Sequence, residues 1–93
     1  MHYIYLIKSL NNPNQLYIGC TQNVEERLKE HNAGKSTHTN KYKPWKLLAY
    51  VALADKDCAF AFERYLKTSS GKSFMLRHFF PKIVLTAATS RAK

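Results

Sequence analysis

Residues 2 to 8, HYIYLIK, are apolar on both alternating sides. Successive side chains of an extended segment point to opposite faces, so this stretch reads as a strand that must be covered from both sides. A chain of 93 residues can provide that cover as one small layered domain with a single modest core.

The rest of the chain supplies the layers. NNPNQ (11 to 15) has turn composition, and LYIGC (16 to 20) is the next strand, closing a hairpin. Gly19 within it either relieves crowding or marks a close approach of backbone or ligand. A helix over 23 to 33 follows, then a polar basic loop, a third strand WKLLAYVAL (45 to 53) and a second helix from about 56 to 68. SSGK is expected to break the chain near Gly71, with SFMLRHFF (73 to 80) as a short helix closed by Pro81 and TAATSRAK as a frayed end. The fold class expected is α+β: a three-stranded antiparallel sheet flanked by two main helices and a short C-terminal helix. One domain is assigned to residues 1 to 82, with 83 to 93 as a tail. Tyr3, Ile4, Leu6 and Ile7 are expected as sheet packing, and Phe60, Phe62, Leu66, Phe74 and Phe79 as core or interface aromatics and aliphatics.

Both main helices carry an ionisable group on the apolar face. At roughly 100° per residue, Val24 at zero places Leu28 near +40°, Arg27 near −60° and His31 near −20°. Glu25, Glu26, Lys29 and Glu30 fall on the side expected to be solvated. Asn23 as N-cap, Glu26 three residues later and Gly34 after the last turn mark the ends. On the second helix, Ala59 at zero places Leu66 near roughly −20°, Phe62 near −60° and Glu63 near +40°. A buried unpaired charge costs on the order of several kcal/mol, so these groups must be paired with each other, hydrated or used. Tyr5 and Tyr17 sit on adjacent strands of the hairpin, and a buried phenol there needs a hydrogen-bond partner. Two phenols, a guanidinium, an imidazole and a carboxylate thus converge on one cleft, or Arg27 and Glu63 form a plain structural salt bridge.

Charge narrows the partners. There are 15 Lys and Arg against 6 Asp and Glu, a net +9. His31 to Ala54 contains no acid but holds Lys35, Lys41, Lys43 and Lys46, and seven Lys or Arg follow Glu63 with no acid among them. One-signed segments of this kind attract polyanions, and Tyr42 and Trp45 within GKSTHTNKYKPWK could stack on bases. Nucleic acid is the expected partner. Cys20 and Cys58 lie far apart without a CxxC pair, and the four histidines lack zinc-ligand spacing, so reduced thiols and a cytoplasmic location are expected. No apolar run reaches membrane-spanning length and no charged leader precedes the first strand, so no membrane partner is expected. Cys20 as a nucleophile with His31 as its base is a minor alternative.

YIY at 3 to 5, YIG at 17 to 19, Arg27 with His31 four residues on, and Glu63 on a later helix form an ordered set that resembles the GIY-YIG nuclease domain. HNAGK, PWKLL and FERYLK match the small stand-alone branch of that family, and the likeness spans roughly residues 2 to 80. The resemblance implies metal-dependent hydrolysis of phosphodiesters, in DNA rather than RNA, with Tyr5, Tyr17, Arg27, His31 and Glu63 as the catalytic set and Glu63 as the metal-binding acid. Two positions depart from the family pattern: Tyr3 stands where the family name has glycine, and Cys20 where some members have a lysine that helps activate the tyrosine.

The residue types suit that chemistry. Glu63 alone is a sparse ligand set, which fits Mg²⁺, with Mn²⁺ as a substitute, because such an ion keeps most of its waters and borrows phosphate oxygens. Arg27 would hold the phosphate through a forked pair of bonds. Tyr17 would take the proton of the attacking water, with His31 as the competing assignment for that base. Lys35, Lys41, Tyr42, Lys43 and Lys46 would contact nucleic acid. A non-catalytic binding module that keeps the fold and the basic surface is the alternative.

Overall fold

The computed structural model describes residues 1 to 78. Pro81, Phe79 and the tail assigned to 83 to 93 lie outside the described residues. Two compact units are distinguished, Met1–Glu63 and a second beginning at Arg64.

The first unit is built on three antiparallel strands, β1 (His2–Ser9), β2 (Leu16–Thr21) and β3 (Trp45–Leu53), in the order β2-β1-β3. The doubly apolar segment is thus the central strand. Ile4, Tyr5, Leu6 and Ile7 are all buried, which is what its two apolar faces require. One face packs Tyr5, Ile7 and Trp45 with Tyr17, Val24, Leu28, Tyr42 and Leu47.

Helix α1 (Val24–Asn32) starts where the capping signal lies: the Asn23 side chain accepts the Glu26 N–H at 3.0 Å. It stops at Gly34, whose φ of +79° an L side chain rarely adopts. The loop from 35 to 44 is anchored along its length. Ser9 Oγ donates to the Tyr42 carbonyl at 2.6 Å, Asn11 Nδ2 donates to the Lys43 carbonyl at 3.1 Å, and the Asn32 side chain bonds both backbone groups of Trp45.

Helix α2 (Lys56–Leu66) begins under Asp55, whose carboxylate accepts the Cys58 N–H at 2.8 Å and is thereby held below the usual range. Ala59 and Leu66 are buried as the wheel requires, whereas Phe60 is exposed, with Lys56 Nζ 5.7 Å from its ring centre. In the second unit, α3 (Ser69–His78) starts four residues before the expected 73. The expected break at Gly71 is a correction. Thr68 caps the helix, its hydroxyl accepting the Gly71 N–H at 3.0 Å, and Gly71 lies inside the helix at a position where a Cβ would run into the Tyr65 carbonyl.

Candidate active site

The strand register builds the floor of the site. Tyr5 pairs with Gly19 and Ile7 with Tyr17, so the two phenols are diagonal neighbours on one face, ring centres 6.3 Å apart. Gly19 is a matter of space: a Cβ there would lie 2.5 Å from Tyr5 Cζ and closer still to its hydroxyl.

Helix α1 supplies the wall. His31 has no exposed surface, and both ring nitrogens are engaged: Nε2 lies 2.8 Å from the Tyr5 hydroxyl and Nδ1 2.7 Å from Thr39 Oγ1. Its ring centre is 5.1 Å from that of Tyr17. Burial first, then the charge of Arg27, depresses the imidazole, so it is neutral at neutral pH. Burial pushes the Tyr5 phenol up to about 12, opposed by the neighbouring Arg27 guanidinium. The histidine on the apolar face is therefore a neutral hydrogen-bonded hub, which resolves its apparent cost.

Arg27 sits beside this hub. Its Nη1 donates to Glu30 Oε1 at 2.8 Å, and Glu30 and then the Tyr5 phenol hold it still more firmly in the charged form. Arg27 thus forms an ion pair with Glu30, one turn along α1. Glu30 is half-buried rather than part of a solvated flank. Glu63 is half-buried on α2, and its negative charge reaches both Tyr5 and Cys20, raising each. Five residues of the expected set thus meet electrostatically around the Tyr5 hydroxyl.

Cys20 does not join them as a nucleophile. It pairs with Ile4, so its side chain alternates to the face opposite Tyr5, and burial followed by Glu63 raises its thiol. Lys35, Lys41 and Lys43 on the basic loop and Lys46 at the start of β3 are exposed. Lys43 Nζ donates to Asn40 Oδ1 at 2.8 Å, and Lys41 Nζ stands 5.6 Å from the centre of the half-buried Tyr42 ring. Trp45 is buried, its indole N–H donating to the Thr39 carbonyl at 3.0 Å, so it packs the core rather than offering a face to bases.

The sequence marks neither Thr39 nor Glu30 as a site residue and places Glu30 on the solvated side of its helix. A buried histidine must satisfy two ring nitrogens, which calls for a second partner, but nothing in the loop's composition points to Thr39. Glu30 is three residues from Arg27, a spacing that brings helical side chains together.

Among the described residues, no group of three or more His, Cys, Asp or Glu side chains could hold a metal ion, and no helix is long and apolar enough to cross a membrane. A lone carboxylate fits a hard, strongly hydrated divalent ion that takes its remaining ligands from water and substrate.

The first unit is thus a small α+β scaffold that presents tyrosines from a hairpin to an arginine and a histidine from one helix. The family profile of the GIY-YIG catalytic domain matches residues 1–77, and the chain belongs to that family. It is 39% identical over 70 residues to a UPF0213 protein of Staphylococcus haemolyticus, covering 74% of this chain and 83% of that one. It is 32% identical over 98 aligned positions to the "Structure-specific endonuclease subunit SLX1 homolog" of Giardia intestinalis, covering 91% of this chain and 27% of the relative, so it spans about a quarter of that protein. The solution NMR structure of a UPF0213 protein from Bacillus halodurans superimposes with a TM-score of 0.54 at 26% identity, over 98% of both chains.

Proposed function

We propose that this chain is a metal-dependent endonuclease that hydrolyses phosphodiester bonds in DNA and selects its substrate by structure. The observation that carries the reading is the cluster of Tyr5, Tyr17, His31 and Arg27 on one face of the sheet, with Gly19 kept side-chain-free beneath it. The family and the SLX1 relative, described as a structure-specific endonuclease subunit, support it.

Each residue has a task. Arg27 holds the scissile phosphate with its forked donors, Glu30 setting its direction. Tyr17 is half-exposed and is assigned to take the proton of the attacking water as the water oxygen bonds to phosphorus and the bond to the leaving sugar oxygen breaks. The burial of His31 and the engagement of both its nitrogens favour Tyr17 over it for that task. Tyr5 and His31 orient the phosphate-facing groups. Glu63 would hold the divalent ion, Mg²⁺ with Mn²⁺ as substitute, which when bound polarises the phosphate. Lys35, Lys41, Lys43 and Lys46, with Tyr42 beside them, line the path of the DNA backbone.

A plasmid-nicking assay with and without Mg²⁺, with Glu63→Gln as control, tests the proposal. Metal-dependent nicking abolished by the substitution supports it. Tight binding without cleavage across linear, branched and RNA substrates would show a non-catalytic binding module instead.

A further inference from the structure

Thr39 lies in the loop between α1 and β3, and 1% of its surface is exposed. Its backbone is clamped on both sides, the N–H donating to the Ser36 carbonyl at 3.3 Å and the carbonyl accepting the Trp45 indole N–H at 3.0 Å. Its hydroxyl is aimed at His31 Nδ1. We infer that Thr39 is a positioning residue: its Oγ1 accepts the Nδ1 proton of His31 and so holds the imidazole in the tautomer whose Nε2 turns a lone pair to the Tyr5 hydroxyl.

Hydrogen-bond inventory carries the argument. A neutral imidazole has one N–H and one lone pair, so the bonds at its two nitrogens run in opposite senses. Were the proton on Nε2, the buried Tyr5 hydroxyl would need a different acceptor for its own proton, and the guanidinium alongside it can only donate. With the proton on Nδ1, Tyr5 donates to Nε2, Nδ1 donates to Thr39, and the phenol oxygen keeps its lone pairs for Arg27. Thr39 supplies the acceptor at the far end of this chain, without which the Nδ1 proton would be buried and unpaired and this tautomer would lose its advantage. The kinetic consequence rests on the nuclease reading; the tautomer does not.

The test uses ring-labelled protein, with long-range proton–nitrogen correlation spectra assigned by His31→Gln. Wild type and Thr39→Ser are expected to show a protonated, pyrrole-like Nδ1 and a pyridine-like Nε2. Thr39→Val is expected to exchange the two and to lower kcat for plasmid nicking by about ten-fold or more, with KM for DNA unchanged and serine restoring the rate. A wild-type ring protonated at Nε2 overturns the inference, as does a folded valine variant that keeps both tautomer and kcat, or that loses only thermal stability. If the valine variant does not fold, the wild-type and serine spectra decide. Absence of nicking by wild type would fail the nuclease reading and leave the spectra to judge the tautomer alone.

Discussion

The ring of Tyr5 lies directly across the strand pair from Gly19, its hydroxyl in the space a Cβ would take. That relationship lets a full phenol sit on the sheet floor and still reach His31 Nε2. Gly19→Ala has no flexible chain end to push aside, because the obstructed atoms belong to a buried ring. It is expected to cost about 1–3 kcal/mol by overpacking and to lower nicking as Tyr5 is lifted from His31. Thermal melts and nicking rates of the same preparation check both.

The burial of His31 makes stability sensitive to acid. Its folded-state pKa is depressed, so as pH falls below about 6.5 the unfolded chain takes up the proton first. Stability from this group is complete above that value and is lost as pH falls through it toward the lower folded value. Denaturant midpoints between about pH 7 and pH 5 should fall more steeply for wild type than for His31→Gln. Equal slopes would refute the assignment.

Tyr17→Phe removes only an oxygen from a half-exposed ring, so the fold is expected to survive while nicking falls by about 100-fold or more. His31→Ala is expected to reduce the rate while preserving the shape of the pH–rate profile. Reversal of those two outcomes would move the base to the histidine.

The Arg27–Glu30 pair has side chains 34% and 37% exposed and is therefore well screened. Glu30→Gln is expected to shift stability by no more than about 1 kcal/mol. Its effect belongs in KM for DNA, since the guanidinium loses the carboxylate that directs it. Calorimetry and steady-state nicking separate the two.

Lys35→Gln and Lys46→Gln are each expected to weaken DNA binding at all sequences and to reduce the slope of log K against log salt by about 0.9. Fluorescence anisotropy across a salt series measures it.

Much of this was readable in advance for a definite reason. The strands, α1 and its cap follow from periodicity and local hydrogen bonding, which act within a few residues. The positions of Tyr5, Tyr17, Arg27 and His31 on converging faces follow from the same arithmetic. What escaped depends on contacts distant in sequence or on the competition between local options. Thr39 reaches His31 from a loop with no period, and Trp45 is drawn into the core by a carbonyl six residues away rather than left to solvent. Gly71 reads as a breaker, yet the Thr68 hydroxyl satisfies its N–H and the helix starts two residues ahead of it, at Ser69.

The loop that carries Thr39 and the lysines is stitched to the β1–β2 turn through Ser9 and Asn11 and to α1 through Asn32. Its conformational freedom is surrendered when the sheet assembles, long before any polyanion arrives. Under the proposed function, an incoming strand would meet a surface whose shape is already set, and long-range attraction rather than loop rearrangement would govern the speed of capture.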